Sequence, residues 1–332
     1  MENLFRTRDI NMKANRLYLL AFLVLAFGSV KGQQKVAAGR AFAAGTTATV
    51  WKKSSLKSWL THYQYEGFYQ PFNSGQIVNV LDIDLNNPES QITFVDSRPS
   101  DSLSSVVQKI PNALAAVNGT YYEILRNKDN PGDSVSSSFF KSANKVKIEV
   151  SVPEGHRLFW KHEGAFYYDP AKQNSGIIYG NNKIYRSLPY ANVISGSPML
   201  IFDYKPVGEN FAKPREKPLD SLNYEDPDRH QGVRHPRTAV ARTENNHILL
   251  ITVDGRAEKA AGMSAKELTQ FIRQWFNPKD ALNLDGGGST TMWLKDSNVS
   301  STGVINYPTD DKKFDHYGQR RIRNSLIVTS RK

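Results

Sequence analysis

Three consecutive glycines stand between a carboxylate and a run of hydroxyls in Ala281-Leu-Asn-Leu-Asp285-Gly-Gly-Gly288-Ser-Thr-Thr-Met-Trp293-Leu294. Glycine loses more chain freedom on folding than any other residue. Three in a row therefore belong where the backbone needs positive φ, or where something packs flush against bare peptide. Ala281 to Leu284 and Met292 to Leu294 read as strands on either side of the turn. Two arrangements satisfy this. In one the stretch is a tight hairpin and Asp285 bonds its own turn. In the other the N–H groups of Gly286 to Gly288 cradle an anion beside a strand-end carboxylate.

The N-terminus is a separate problem. Arg6, Arg8, Lys13 and Arg16 precede an apolar run of eleven residues, Leu17 to Phe27, and small and polar residues follow it to Gln33. Eleven residues rise about 16 Å as a helix, short of a hydrocarbon core of roughly 30 Å. The three regions predict a signal peptide over residues 1–32, then a flexible Ala/Gly/Thr-rich lead-in over 33–50. No later run predicts stable membrane insertion. The chain has no cysteine. It therefore has no disulfide and no thiolate nucleophile, which for an exported chain suits a bacterial periplasm or secretion from one. Five basic and two acidic residues in 1–32 leave about +8 of the formal +11 for the rest. The bases are scattered, without the basic helix or basic–aromatic interleaving of a nucleic-acid reader.

From Trp51 the pattern is that of a folded domain. The aromatics Trp51, Trp59, Tyr63, Tyr65, Phe68, Tyr69 and Phe72 predict a core edge, or else a sugar-stacking face. Gln76 to Leu85 alternates as a strand and places Asp82 and Asp84 on one face. Ser102 caps a short helix that Pro111 closes. Ala113 to Val117 is a strand running into Asn118-Gly119-Thr120-Tyr121-Tyr122, where an amide and two tyrosines meet a turn. Val193 to Phe202 is a strand pair interrupted by Gly196-Ser197-Pro198. Asp203 to Gln231 is too polar for core and reads as a surface excursion or lid. Arg237 opens a small apolar strand. His247 to Val253 is a buried strand ending at Asp254. Ser264 and Glu267 form a capping box ahead of a Leu268–Phe271–Ile272–Trp275 stripe, the clearest helix. Arg321 to Val328 is the last strand. Many strands with few helices predict a single α+β domain over 51–332, with mixed, largely antiparallel sheets flanked by a few helices.

Familiar chemistries are poorly matched. No Gly-x-Ser-x-Gly elbow frames a serine nucleophile, and no Gly-Lys-Ser/Thr completes a phosphate loop. No His/Asp cluster has convincing metal spacing, and no cofactor is called for. What remains is Asp285, Arg237, Asn118 and glycine-rich turns. An arginine fork suits a pair of phosphate oxygens, and the amides of Gly286, Gly287 and Gly288 suit the same anion. A carboxylate suits sugar hydroxyls or an anomeric carbon. A salt bridge to a nearby acid is the competing account of Arg237.

Asn283-Leu-Asp-Gly-Gly-Gly-Ser-Thr-Thr-Met292, behind the Ser264 helix and the Leu249–Asp254 strand, resembles the signature of the phosphodiester glycosidase family, that of the mannose 6-phosphate "uncovering enzyme". Ala116-Val-Asn-Gly-Thr-Tyr-Tyr122, Ser195-Gly-Ser-Pro-Met-Leu200 and His235-Pro-Arg-Thr-Ala239 fall in the family's order and extend the likeness over roughly 75–330. The chain departs from the animal enzyme in lacking cysteines and in the length of Asp203 to Gln231.

The resemblance implies an exported hydrolase of a sugar-1-phosphodiester, such as a GlcNAc-1-phosphodiester, with a phosphorylated carbohydrate or envelope glycan as partner. Arg237 and the glycine amides would hold the phosphate. Asp285 would act at the sugar as nucleophile, base or oxocarbenium stabiliser. Asn118, Thr238 and Ser289 would orient phosphate or hydroxyls. Gly119, Gly196, Ser197 and His235 complete the expected binding set. No second carboxylate stands out, with Asp254 and Glu123 the candidates. The alternative is a non-catalytic binder of anionic envelope glycans on the same fold.

Overall fold

The computed structural model describes residues 51–122, 124–125, 134–208 and 218–331. The expected signal peptide, the lead-in and Glu123 lie outside them. The chain divides into Met1–Ala41 and Phe42–Lys332, and every described residue belongs to the second unit.

A seven-stranded sheet runs in the order Trp51–Lys57, Leu60–Tyr69, Ser74–Asp84, His247–Val253, Arg237–Arg242, Asp280–Asn283, Met199–Ile201. The pairs along it are antiparallel. Its central strands are apolar on both faces. On one face Val78, Val80, Leu249 and Ile251 meet Leu268, Phe271 and Ile272 of the helix Ala265–Trp275. On the other, Leu81, Ile83, Ile248 and Leu250 pack with Phe94 and Val117, from a four-stranded sheet, and Phe166 and Ile194, from a five-stranded one. The helix begins where its sequence says. Ser264 Oγ accepts from Glu267 N, and the Glu267 side chain accepts from Ser264 N at 2.9 Å. Each apolar side chain fully buried in this way contributes about 1.5–3 kcal/mol.

The aromatic N-terminal strands form core edge rather than a sugar platform. Trp51, Tyr65 and Tyr69 interlock edge-on with Phe271 and Trp275. Asp82 and Asp84 share the face of their strand that carries Val78 and Val80. His247 Nδ1 there lies 2.7 Å from Asp82.

The glycine stretch is not a hairpin. Asp280–Asn283 belongs to the seven-stranded sheet, beside Arg237–Arg242. Met292–Leu294 belongs to the four-stranded sheet, where Met292 faces Val117 of Ala113–Asn118. The chain thus leaves one sheet at Leu284 and enters another at Met292. The three glycines and a turn of 3-10 helix at Gly287–Ser289 make the crossing.

Candidate active site

The crossing is tight, and it explains the glycines. Gly287 has φ +62° and its N–H donates to Pro236 O at 2.8 Å. A Cβ on Gly288 would stand 2.5 Å from Asp310 Oδ1 and 2.6 Å from Arg320 Nη2. With the Gly287 amide committed to Pro236, the expected three-amide cradle is reduced to at most the N–H groups of Gly286 and Gly288.

Asp285 sits at the start of the crossing, with 9% of its surface exposed. Its backbone is pinned on both sides. Asp285 N donates to Gly119 O at 3.1 Å, and Asn118 Nδ2 donates to Asp285 O at 2.7 Å. Burial raises the carboxyl above its usual pKa; Ser289, Lys161 and Arg320 pull it part of the way back, and Glu225 opposes them. The Ser289 hydroxyl, itself buried, stands near the carboxyl without completing a hydrogen bond.

A cavity of about 140 Å³ opens over Asp285, Gly286 and Gly287. Arg237 and His235 form one wall, with Pro236 between them, and Arg320, Tyr121 and Tyr122 line the rest. Tyr224, Glu225 and His230 line it as well and are called its roof, with Glu225 against Lys161. Five expected residues therefore meet at one place: Asp285, Gly286, Gly287, Arg237 and His235.

Arg237 is 1% exposed and, among the described residues, has no carboxylate partner. Nε donates to Met263 O at 2.8 Å, and Nη2 donates to His230 O at 2.6 Å and Val233 O at 3.1 Å. It is neither a salt bridge nor a free fork: only Nη1 is left for a ligand. Burial lowers its pKa to about 10, so the guanidinium remains charged at neutral pH. Its charge also acts on the histidines. Burial, then Arg237 and Arg256, bring His235 down to about 3. Burial and Arg237 hold His230 well below its ordinary value. Both are neutral imidazoles. His230 Nδ1 and His235 Nε2 are buried without a protein partner.

The other expected residues act behind the cavity surface. Asn118 is wholly buried. Its Oδ1 accepts from Thr238 Oγ1 at 2.8 Å and from Thr291 N at 3.1 Å. Asn118 therefore holds the Asp285 backbone, Thr238 braces Asn118, and neither lines the cavity. Gly119 supplies the carbonyl that receives Asp285 N. Ser197 Oγ donates to Glu163 Oε2 at 3.4 Å, and Ser197 O receives Tyr121 Oη at 2.9 Å. Gly196 lies against Asn283 O. Neither Ser197 nor Gly196 lines the cavity. Asp254 does not line it either, which removes it as the second carboxylate. Its Oδ1 accepts from Asn306 Nδ2 at 2.8 Å and Tyr307 N at 3.0 Å, and its Oδ2 is orphaned. Burial raises its pKa to about 7.

Sequence reasoning missed Lys161, Glu225, His230, Tyr224 and Arg320. Lys161 lies on the 3-10 helix Phe159–His162, its Nζ 2.6 Å from Glu225 Oε2. Arg320 is anchored by Asp310, with Nε donating at 2.7 Å. Glu225, Tyr224 and His230 all come from the C-terminal part of the polar excursion, and these three residues line the cavity as its roof. Of these, only the aromatic flanks of Lys161, in Phe159-Trp-Lys-His162, mark a charged residue drawn inward.

The sequence profile of the phosphodiester glycosidases matches residues 111–329, and so takes in every lining residue. The chain belongs to the phosphodiester glycosidase family. It is 35% identical over 78 residues to mouse N-acetylglucosamine-1-phosphodiester alpha-N-acetylglucosaminidase and 33% identical over 93 residues to the SPbeta prophage-derived uncharacterized protein YomE of Bacillus subtilis. Each match covers 24% of this chain, which spans only 14% of either relative's length. Among solved structures, the fold is similar to the catalytic domain of zebrafish N-acetylglucosamine-1-phosphodiester alpha-N-acetylglucosaminidase, auto-inhibited by its pro-peptide. The TM-score is 0.56 at 17% identity, over 88% of this chain and 87% of that one. A hypothetical protein from Synechocystis gives a TM-score of 0.57 at 14% identity, over 86% of this chain and 64% of that one.

Proposed function

We propose that this protein hydrolyses a sugar-1-phosphodiester of the GlcNAc-1-phosphate type, releasing the free sugar and a phosphomonoester. The observation that carries the reading is the arrangement of the cavity: a buried carboxylate on its floor, and three cationic side chains, Arg237, Arg320 and Lys161, around it. The mouse relative is named for cleavage of an N-acetylglucosamine-1-phosphodiester, which supports that substrate class.

In the reaction the bond between the anomeric carbon and the bridging oxygen breaks, and its electron pair leaves with the phosphate. The leaving phosphomonoester has a second pKa of about 6 and so needs little protonation. Its growing charge meets Arg237 Nη1 and Arg320, donors fixed in advance by Met263 O, His230 O and Asp310. Preorganised donors of this kind avoid reorganisation in the transition state. Asp285, ionised, faces the positive charge developing at the anomeric carbon, either attacking it or activating water. Neutral His230 and His235 offer unpartnered nitrogens to sugar hydroxyls. The same reading keeps the protein exported, with phosphorylated glycans as its substrates.

Product analysis with α- and β-linked GlcNAc-1-phosphodiesters tests it. Release of GlcNAc from one anomer, abolished in Asp285→Asn, is the expected result. Tight binding of both without release from either would instead make the protein a glycan-binding relative of the enzymes.

A further inference from the structure

We propose that Lys161 is a phosphate-binding residue of this cavity, and that Glu225 competes with the ligand's phosphate for its ammonium. The inference rests on the proposed function and adds a control element from the roof.

The three cations of the cavity are anchored differently. Arg237 spends two of its three nitrogens on backbone carbonyls. Arg320 is held by Asp310, 2.6 Å from Nη2 as well as bonded through Nε. Among the described residues Lys161 has one polar partner, Glu225 Oε2 at 2.6 Å. Beyond that it lies over the Tyr121 ring, 4.8 Å from its centroid, and the Trp160 ring at 5.7 Å. Its side chain is only 10% exposed. An ammonium has three rotatable donors and no fixed plane. Lys161 is therefore the cation best able to follow a phosphate whose position changes as the glycosidic bond opens.

Glu225 is the member of the pair able to yield. Its side chain is 27% exposed, against 10% for the lysine; the Oε2 against Lys161 is buried, but a rotation toward the exposed side brings the carboxylate to water without the full penalty of a buried, unpaired charge. Its backbone is tied down independently: Trp160 Nε1 donates to Glu225 O at 3.3 Å, and Glu225 N donates to Asn223 Oδ1 at 2.9 Å. The roof therefore stays in place whichever way the carboxylate points. A phosphate dianion carries more charge than Glu225 and offers several oxygens, so it wins the ammonium at close range.

Calorimetry of the full chain with inorganic phosphate tests the competition, using wild type, Glu225→Gln, Lys161→Met and the double variant. Glu225→Gln is expected to bind phosphate about threefold more tightly, the scale of a partly exposed ion pair. Lys161→Met is expected to bind about tenfold more weakly, in line with a lost charge-assisted hydrogen bond. The double variant should match Lys161→Met, because Glu225 has nothing to compete for once the ammonium is gone. Unchanged or weaker binding by Glu225→Gln overturns the proposal, and so does a Glu225 effect that survives in the double variant. If Glu225 instead transferred protons, Glu225→Gln would lower kcat and leave phosphate affinity alone. Turnover of a sugar-1-phosphodiester is followed in parallel. Turnover with phosphate affinity indifferent to Lys161 defeats this inference alone, whereas no turnover by wild type defeats the reading beneath it.

Discussion

Asp285 and Glu225 face one cavity from surroundings that differ in kind. Asp285 is 9% exposed, and backbone bonds to Gly119 and from Asn118 hold it at the crossing between two sheets. The Glu225 side chain is 27% exposed and, among the described residues, is paired with one ammonium, that of Lys161. The floor is assembled from strand ends and buried amides, so its geometry is set by the fold as a whole. The roof is a polar segment whose backbone is held at Glu225 by Trp160 and Asn223, so the chain stays in place while the carboxylate can turn. A site divided in this way fixes the group that meets the reacting carbon and leaves the surrounding charge free to move.

The sharpest way to break the comparison is at the floor carboxylate. Asp285→Asn should lower kcat by about 10²–10⁴-fold with the phosphate still bound. Activity in the wild type should fall on acidification through a pKa above the ordinary aspartate value, since burial raises that of Asp285. Beneath the floor, Asp254 should shape stability. Its folded pKa of about 7 stands above an unfolded value near 3.8. Below pH 4 both states hold the proton. Between pH 4 and 7 the unfolded state releases it while the folded state keeps it. Stability therefore declines with rising pH over that window, by up to about 4 kcal/mol, and is level above it. Urea midpoints at pH 4.5 and 7.5 should show this decline in wild type and lose it in Asp254→Asn.

Asn118→Ala comes next. It leaves Asp285 O, Thr238 Oγ1 and Thr291 N short of a buried partner. An expected loss of about 2–3 kcal/mol in denaturant unfolding should come with a drop in kcat. The smallest effect belongs to the roof. Trp160→Phe removes one bond to Glu225 O and should cost about 0.5–1.5 kcal/mol, read as a thermal shift of a few degrees. A Trp160→Phe cost equal to that of Asn118→Ala would mean that floor and roof are equally rigid.

The residues explain how far each half could be read in advance. The capping box at Ser264 and Glu267 and the apolar run His247–Val253 are local signals, and both elements stand where those signals place them. The Asp-Gly-Gly-Gly turn marks the floor because only bare peptide passes Asp310 and Arg320 at that distance. The partners of the flanking strands were not legible. Three or four apolar residues specify a strand but not its neighbour, and Met292 pairs with Val117 from far up the chain. The direction of Asn118, Thr238 and Ser197 was equally hidden. A polar side chain at a strand end serves a ligand or a backbone with the same sequence, and the sheets turned these three inward. Glu225 and His230 were harder still. They carry no periodicity and sit among residues as polar as themselves, so only the packing of Trp160 and Lys161 beneath them distinguishes them from solvated surface.

The crossing at Leu284–Met292 also joins two sheets that each close over long stretches of chain. The four-stranded sheet pairs residues near 115 with others near 293 and 327, and the seven-stranded sheet closes a span nearly as long, between residues near 80 and others near 250. A loop tip bearing the carboxylate would be able to fray and re-form in isolation. Here, pulling Asp285 out of line means detaching the edge of one sheet from the end of another. The working geometry should therefore persist for as long as the native fold does, and hydrogen exchange at Asp285 and Leu284 should report global opening rather than local breathing.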